Sequence, residues 1–134
     1  MKIFLSLIAF LFSVSLHAQE TDNTKWFLLE GVTNTQYKVY LDIENMEYDP
    51  GVTIIAKLKY QYKDDNLIDY ITKSVKFFVS ENTFQIINQA HFLKQGSVDV
   101  EPSTQLRHLI PGTEMSVIYQ GVYIQAVTIG PTHK

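Results

Sequence analysis

Between Thr53 and Lys63 the chain alternates without a break. Ile54, Ala56, Leu58, Tyr60 and Tyr62 fall on one side, and Thr53, Ile55, Lys57, Lys59, Gln61 and Lys63 on the other. A period of two is the mark of a half-buried β-strand. The same pattern sets Tyr37, Val39, Leu41 and Ile43 against Lys38, Tyr40 and Asp42. Lys25 to Glu30 predicts an earlier strand, and Leu67 to Val79, Phe84 to Leu93 and a weaker segment near Val98-Asp99-Val100 predict later ones. The apolar positions change phase between Tyr70 and Phe77, which implies a bulge or burial on both faces. Turn residues punctuate these runs at Thr33-Asn34-Thr35, Asp49-Pro50-Gly51, Asp64-Asp65-Asn66, Ser80-Glu81-Asn82-Thr83 and Gln95-Gly96-Ser97. Strands joined by turns this short make an antiparallel meander, whose apolar face needs a cover.

The segment after Pro111-Gly112 is the candidate cover. Thr113 suits an N-cap and Glu114 a first helical turn, while Met115, Ile118, Tyr119, Val122, Tyr123 and Ala126 recur at helical spacing. Local propensity points the other way. Val117, Ile118, Val122, Ile124, Val127 and Ile129 are β-branched, and Gly121 inside a helix costs about 1 kcal/mol relative to alanine. A helix and a hairpin turning at Gln120-Gly121 therefore both remain open on the residues alone.

Lys2 followed by the apolar run Ile3 to Leu16 and by His17-Ala18-Gln19 reads as a secretory signal peptide over residues 1–18. An uncleaved anchor is the competing reading, but the run is shorter than the roughly 20 apolar residues a spanning helix needs. The expectation is thus an exported domain over 19–134, in the periplasm or at the cell surface, with no integral membrane span after cleavage. The chain of 134 residues has no cysteine, which excludes a disulfide framework, a thiolate metal site and a lipoprotein's acyl anchor. Its 46% hydrophobic and 19% charged content fits one packed core. A net charge of −3 offers no broad cationic field for nucleic acid.

Candidate chemistry is sparse. His91, His108 and His133 share no spacing that would set two on one face for a metal, and Asp42, Glu44, Glu47 and Asp49 read as a solvated turn rather than a calcium loop. Asp64-Asp65 is turn chemistry rather than an acid/base pair. No nucleophile elbow, phosphate loop or dinucleotide fingerprint appears, so neither an enzyme nor a cofactor is expected. Binding is the better class. Alternation places Lys57, Lys59 and Lys63 in one row able to meet acidic protein loops or sulfated polysaccharide, although such lysines also guard sheets against aggregation. Among the aromatic residues Trp26, Tyr37, Tyr40, Tyr60, Tyr62, Tyr70, Phe77 and Phe84, most belong to a core. Tyr40 instead falls on the polar side of its strand, as an interface tyrosine would.

Trp26, Tyr40-Leu41-Asp42, Lys59-Tyr60-Gln61-Tyr62-Lys63, Ile110-Pro111-Gly112-Thr113 and Ile118-Tyr119-Gln120-Gly121-Val122-Tyr123 together resemble the surface-adhesin protein E family, over roughly Lys25 to Tyr123. The resemblance implies an α+β fold: a six-stranded antiparallel, curved β-sheet with a C-terminal α-helix packed on its concave face. It implies a non-catalytic exported protein that binds host extracellular-matrix proteins of the vitronectin or laminin type. Family members usually tie helix to sheet through a disulfide, whose positions correspond here to Val79 and Tyr123. Losing such a crosslink removes about 2–4 kcal/mol, and a buried Tyr123 packed near Val79 would recover part of it. The alternative role is a periplasmic carrier holding a small apolar ligand between sheet and helix. Exposed edge strands would also permit a homodimer.

Overall fold

The computed structural model describes residues 25–132. The predicted leader over residues 1–18 and His133 lie outside the described residues. Among the described residues eight strands and one helix follow in order: β1 (Trp26–Leu28), β2 (Tyr37–Asp42), β3 (Glu47–Asp49), β4 (Thr53–Tyr62), β5 (Ile68–Phe78), β6 (Thr83–Leu93), β7 (Val98–Glu101), β8 (Arg107–His108) and α1 (Glu114–Ile129). The sheet is antiparallel throughout, with the main path β1-β2-β4-β5-β6-β7, while β3 pairs with β4 and β8 with β6 off that path. The fold is α+β, a curved antiparallel sheet with the C-terminal helix packed against it, as the alternation and the resemblance imply.

Cross-strand register sorts every side chain onto one of two faces. The helix-side face is built from rows such as Val39–Tyr60–Ile71, Leu41–Leu58 and Ile54–Phe77–Phe84. Val39, Leu41, Ile54, Leu58, Val75 and Phe77 are fully buried there. Against them α1 lays Ile118, Val122 and Ala126, a stripe four residues apart and also fully buried. The phase change in β5 has its counterpart in two register shifts against β6, between Ile68 and Tyr70 and between Ser74 and Val75. The first sets Ile68 and Tyr70, two residues apart, on opposite faces, so that Ile68 packs against the core while Tyr70 stacks on Phe92 on the other side.

Tertiary packing decides the helix against the β-branched residues' own preference. Thr113 is the N-cap, its Oγ accepting from the Ser116 N–H at 3.3 Å. Glu114 sits in the first turn, and its carboxylate accepts from the Tyr37 hydroxyl at 2.7 Å. At the other end the Gly130 N–H donates to the Ala126 carbonyl, with Gly130 at φ 96°. The chain then returns to the sheet, where the Tyr48 N–H donates to Thr132 Oγ at 2.8 Å and the Thr132 N–H donates to the Tyr48 carbonyl at 3.0 Å.

Gly121, whose place in a helix looks like a cost, marks a close approach of α1 to Leu29, just past the end of β1. A Cβ there would stand 3.0 Å from Leu29 Cδ2, and Leu29 is itself buried. Gly121→Val is therefore expected to lower stability by about 1–3 kcal/mol through overpacking, although valine is the better helix former. Urea denaturation monitored by circular dichroism checks this; an unchanged midpoint would show that Leu29 yields freely.

Candidate functional site

The face of the sheet turned away from α1 carries most of its exposed chemistry. Register brings together Lys38, Gln61, Tyr70 and Phe92 in one row, Tyr40, Lys59 and Thr72 in the next, then Lys57 and Ser74, then Lys76 and Gln85. Four lysines thus share this convex face with Trp26, Tyr40, Tyr70, Phe78 and Phe92. Of the residues singled out in the sequence, Lys57, Lys59 and Tyr40 lie here, and all three are half-buried. Lys63 does not continue the row. It lies past the end of β4 in the turn, exposed, with its N–H donating to the Gln36 carbonyl at 3.0 Å.

Lys59 is held rather than free. Its ammonium stands 4.6 Å from the Tyr70 ring centroid and 5.6 Å from that of Trp26, and Tyr70 stacks on Phe92 at 4.4 Å. Burial among these rings lowers the Lys59 pKa, with the Asp69 carboxylate opposing. Lys76 similarly stands 5.3 Å from the Phe78 ring. Lys38 and Lys76 were missing from the row read in the sequence. Lys38 shares the parity of Tyr40 and could have been included on that signal, whereas placing Lys76 requires the register of β5.

The helix side holds a second polar group. Tyr37, at the start of β2, lies within 2.7 and 2.8 Å of the two Glu114 carboxylate oxygens, and Asn34 Nδ2 donates to the same carboxylate at 3.3 Å. Lys73 occupies an inward row position between Leu58 and Gln89, its ammonium 4.4 Å from the Tyr60 ring. Burial lowers its pKa, while Glu114 and Glu101 counteract the shift. Glu101 also accepts from Gln89 Nε2 at 2.9 Å and lies 3.4 Å from His91 Nε2. These contacts fasten the N-terminus of α1 and the edge strand β7.

The remaining candidates resolve into local structure. Asp42 is buried, not solvated: its carboxylate accepts from the Glu44 and Asn45 N–H groups and from Asn45 Nδ2. Glu47 and Asp49 belong to β3. Asp65 accepts from the Leu67 and Ile68 N–H groups, both at 2.8 Å, which lowers its pKa. Among the described residues no group of three or more His, Asp or Glu side chains could hold a metal. Val79 and Tyr123 do border one shallow crevice, but Tyr123 is 40% exposed, so it does not fill the space as a buried tyrosine would. The ring that packs inward is Tyr119, 5.1 Å from Phe77.

A third feature runs along the other flank of α1. Phe27, Leu29 and Val32 face Val117, Gly121 and Ile124 across a crevice of about 480 Å³. Ile124 and Val127 project from the outer side of the helix, more than half exposed.

None of the family models, characterised proteins or solved structures compared with the chain matches it.

Proposed function

We propose that the chain is an exported, non-catalytic binding protein that meets an extended anionic partner with its convex face. The observation that carries the reading is the cross-strand register: it gathers Lys38, Lys57, Lys59 and Lys76 with Tyr40, Trp26 and Tyr70 on the face α1 leaves open. Interleaved cations and rings suit sulfated polysaccharide or the acidic loops of a matrix protein. The resemblance to surface-adhesin protein E supports the same class and names vitronectin or laminin as the first partners to try. Lys59 and Lys76 present their charge over aromatic rings, Lys59 over Tyr70 and Trp26 and Lys76 over Phe78, and Lys38 and Lys57 extend the row along the same face.

Binding to immobilised heparin, vitronectin and laminin tests the reading. The triple variant Lys38→Ala, Lys57→Ala, Lys76→Ala is expected to bind about tenfold more weakly, each solvent-exposed contact contributing up to about 1 kcal/mol. Wild-type binding is expected to fall between about 0.05 M and 0.5 M salt. Absence of binding to all three, or binding insensitive to both changes, would overturn it.

The carrier reading has its own observation in the crevice beside β1. The interval directly between sheet and helix is filled by Ile118, Val122 and Ala126, so a carried molecule would have to lie at that margin. Native mass spectrometry of protein taken from its own cells discriminates, because a carrier retains a small apolar molecule.

A further inference from the structure

Resting on the binding role of the convex face, we propose that its partner is a linear acidic polysaccharide, and that the Trp26 indole N–H and the Lys59 ammonium together hold one of its sulfate or carboxylate groups. The Trp26 Nε1–H is buried and has no hydrogen-bond partner. Lys59 stands 5.6 Å from the centroid of the same indole, and among the described residues it forms no ion pair. A desolvated donor without an acceptor is a standing cost, which an incoming oxyanion removes. Beside an ammonium, that oxyanion also gains a charge-assisted bond. Rings rather than carboxylates hold Lys59, so its flexible stem can follow an anion to the indole edge.

Register extends this point into a line. Lys57 lies two residues before Lys59 on β4, and Lys38 stands opposite Gln61, two residues beyond Lys59 and one strand over. Successive cations are therefore about 7–8 Å apart. Strands β4 and β6 contain no Asp or Glu, and β5 has only Asp69, near its start, where it accepts from Gln61 Nε2 at 3.1 Å. Glu44 is paired with Lys25 at 3.6 Å. Glu47 and Asp49 stand opposite Ile55 and Thr53, at the end of β4 from which the line Lys57, Lys59, Lys38 runs away. In a chain of net charge −3, this line is a local reversal of sign.

The face itself selects among polyanions. Main-chain N–H and C=O groups of a sheet interior are spent in its ladder, so the face offers side chains alone. An acidic peptide finds no main-chain partner there, and a polysaccharide asks for none. Its charges recur along the chain, its hydroxyls suit Thr72 and Ser74 opposite Lys59 and Lys57, and the apolar faces of its rings suit Tyr40, on the other side of Lys59.

The test adds heparin tetrasaccharide, tetragalacturonate and, as a peptide polyanion, tetraglutamate to the 15N-labelled chain purified from its own cells. Trp26 is the single tryptophan, so one indole N–H resonance reports the site directly. At least one saccharide is expected to bind saturably and to shift that resonance, and comparing the two tells sulfate from carboxylate. Trp26→Phe keeps an aromatic ring but removes the N–H, and it is expected to weaken saccharide binding about tenfold. Lys59→Gln is expected to do the same. The indole resonance needs no variant, so it decides even where a variant does not fold. A resonance unmoved at saturation, saccharide binding unchanged in Trp26→Phe, or tetraglutamate binding as tightly as the saccharides would overturn the assignment and leave the broader role of the convex face standing. If none of the three binds, the assignment falls, and the vitronectin and laminin assays decide the broader role by themselves.

Discussion

Phe77→Ala is expected to cost about 3–5 kcal/mol, the largest loss from any single truncation in this fold. Phe77 is fully buried, and its ring joins three elements: it belongs to β5, lies 6.4 Å from the Phe84 ring of β6 and lies 5.1 Å from the Tyr119 ring of α1. Truncation removes apolar contact on every side, and neither the sheet backbone nor the capped helix can collapse into the space. A domain of this size holds only about 5–15 kcal/mol in total. The thermal midpoint should fall by roughly 4 °C or more for each kcal/mol lost. Calorimetry checks this, and a drop of a few degrees would mean that α1 settles into the gap.

Raising the pH above about 10 is expected to unfold the chain progressively, for a reason centred on Tyr60. Its side chain is 2% exposed, and burial, reinforced by Glu114 and by the neighbouring Tyr37 and Tyr62, pushes its pKa far above the usual tyrosine value. The folded chain then keeps a proton that the unfolded chain releases near pH 10. The stability is fully present below that pH and is lost as the pH rises toward the folded pKa. Tyr60 alone should account for about 1.4 kcal/mol per pH unit in that range. Tyr37 shifts the same way through burial and its bond to Glu114, with a smaller share because solvent screens it. Lys59 and Lys73 oppose the trend, since their lowered pKa values mean that deprotonation relieves a desolvation cost. Urea midpoints at pH 8 and about pH 11 check the sign. Tyr60→Phe should flatten the dependence, and an unchanged slope in that variant would remove Tyr60 as its source.

The parts of this architecture visible in the sequence are those with one wet face and one dry face. β2 and β4 alternate because α1 covers a single side of them, and their buried positions match the apolar parity. β3 and β8 escaped notice because three residues and two residues carry no period. Asp42 broke parity because its carboxylate is consumed by the Asn45 turn, a side-chain effect that alternation does not encode. The helix was ambiguous for a different reason. Tyr123, Ile124, Val127 and Ile129 leave it apolar on its outer side as well as its inner one, so its amphipathic signal is faint. Gly121, which looked like the turn of a hairpin, is explained by Leu29 lying beneath it, a contact between residues too distant in sequence to be read locally. Of the convex face, Lys57 and Lys59 were legible within one strand. Its full extent needed the partnering of β4 with β2 and β5.

The helix is fastened at both ends, by Tyr37 on Glu114 and by Thr132 on Tyr48. Neither fastening is covalent, and the chain contains no sulfur that could make it so. Its maturation therefore waits on no oxidase, and its folded form is as much at home in a reducing compartment as in an oxidising one. The roof closes by docking alone, and the same polypeptide can be unfolded and refolded without any shuffling of bonds.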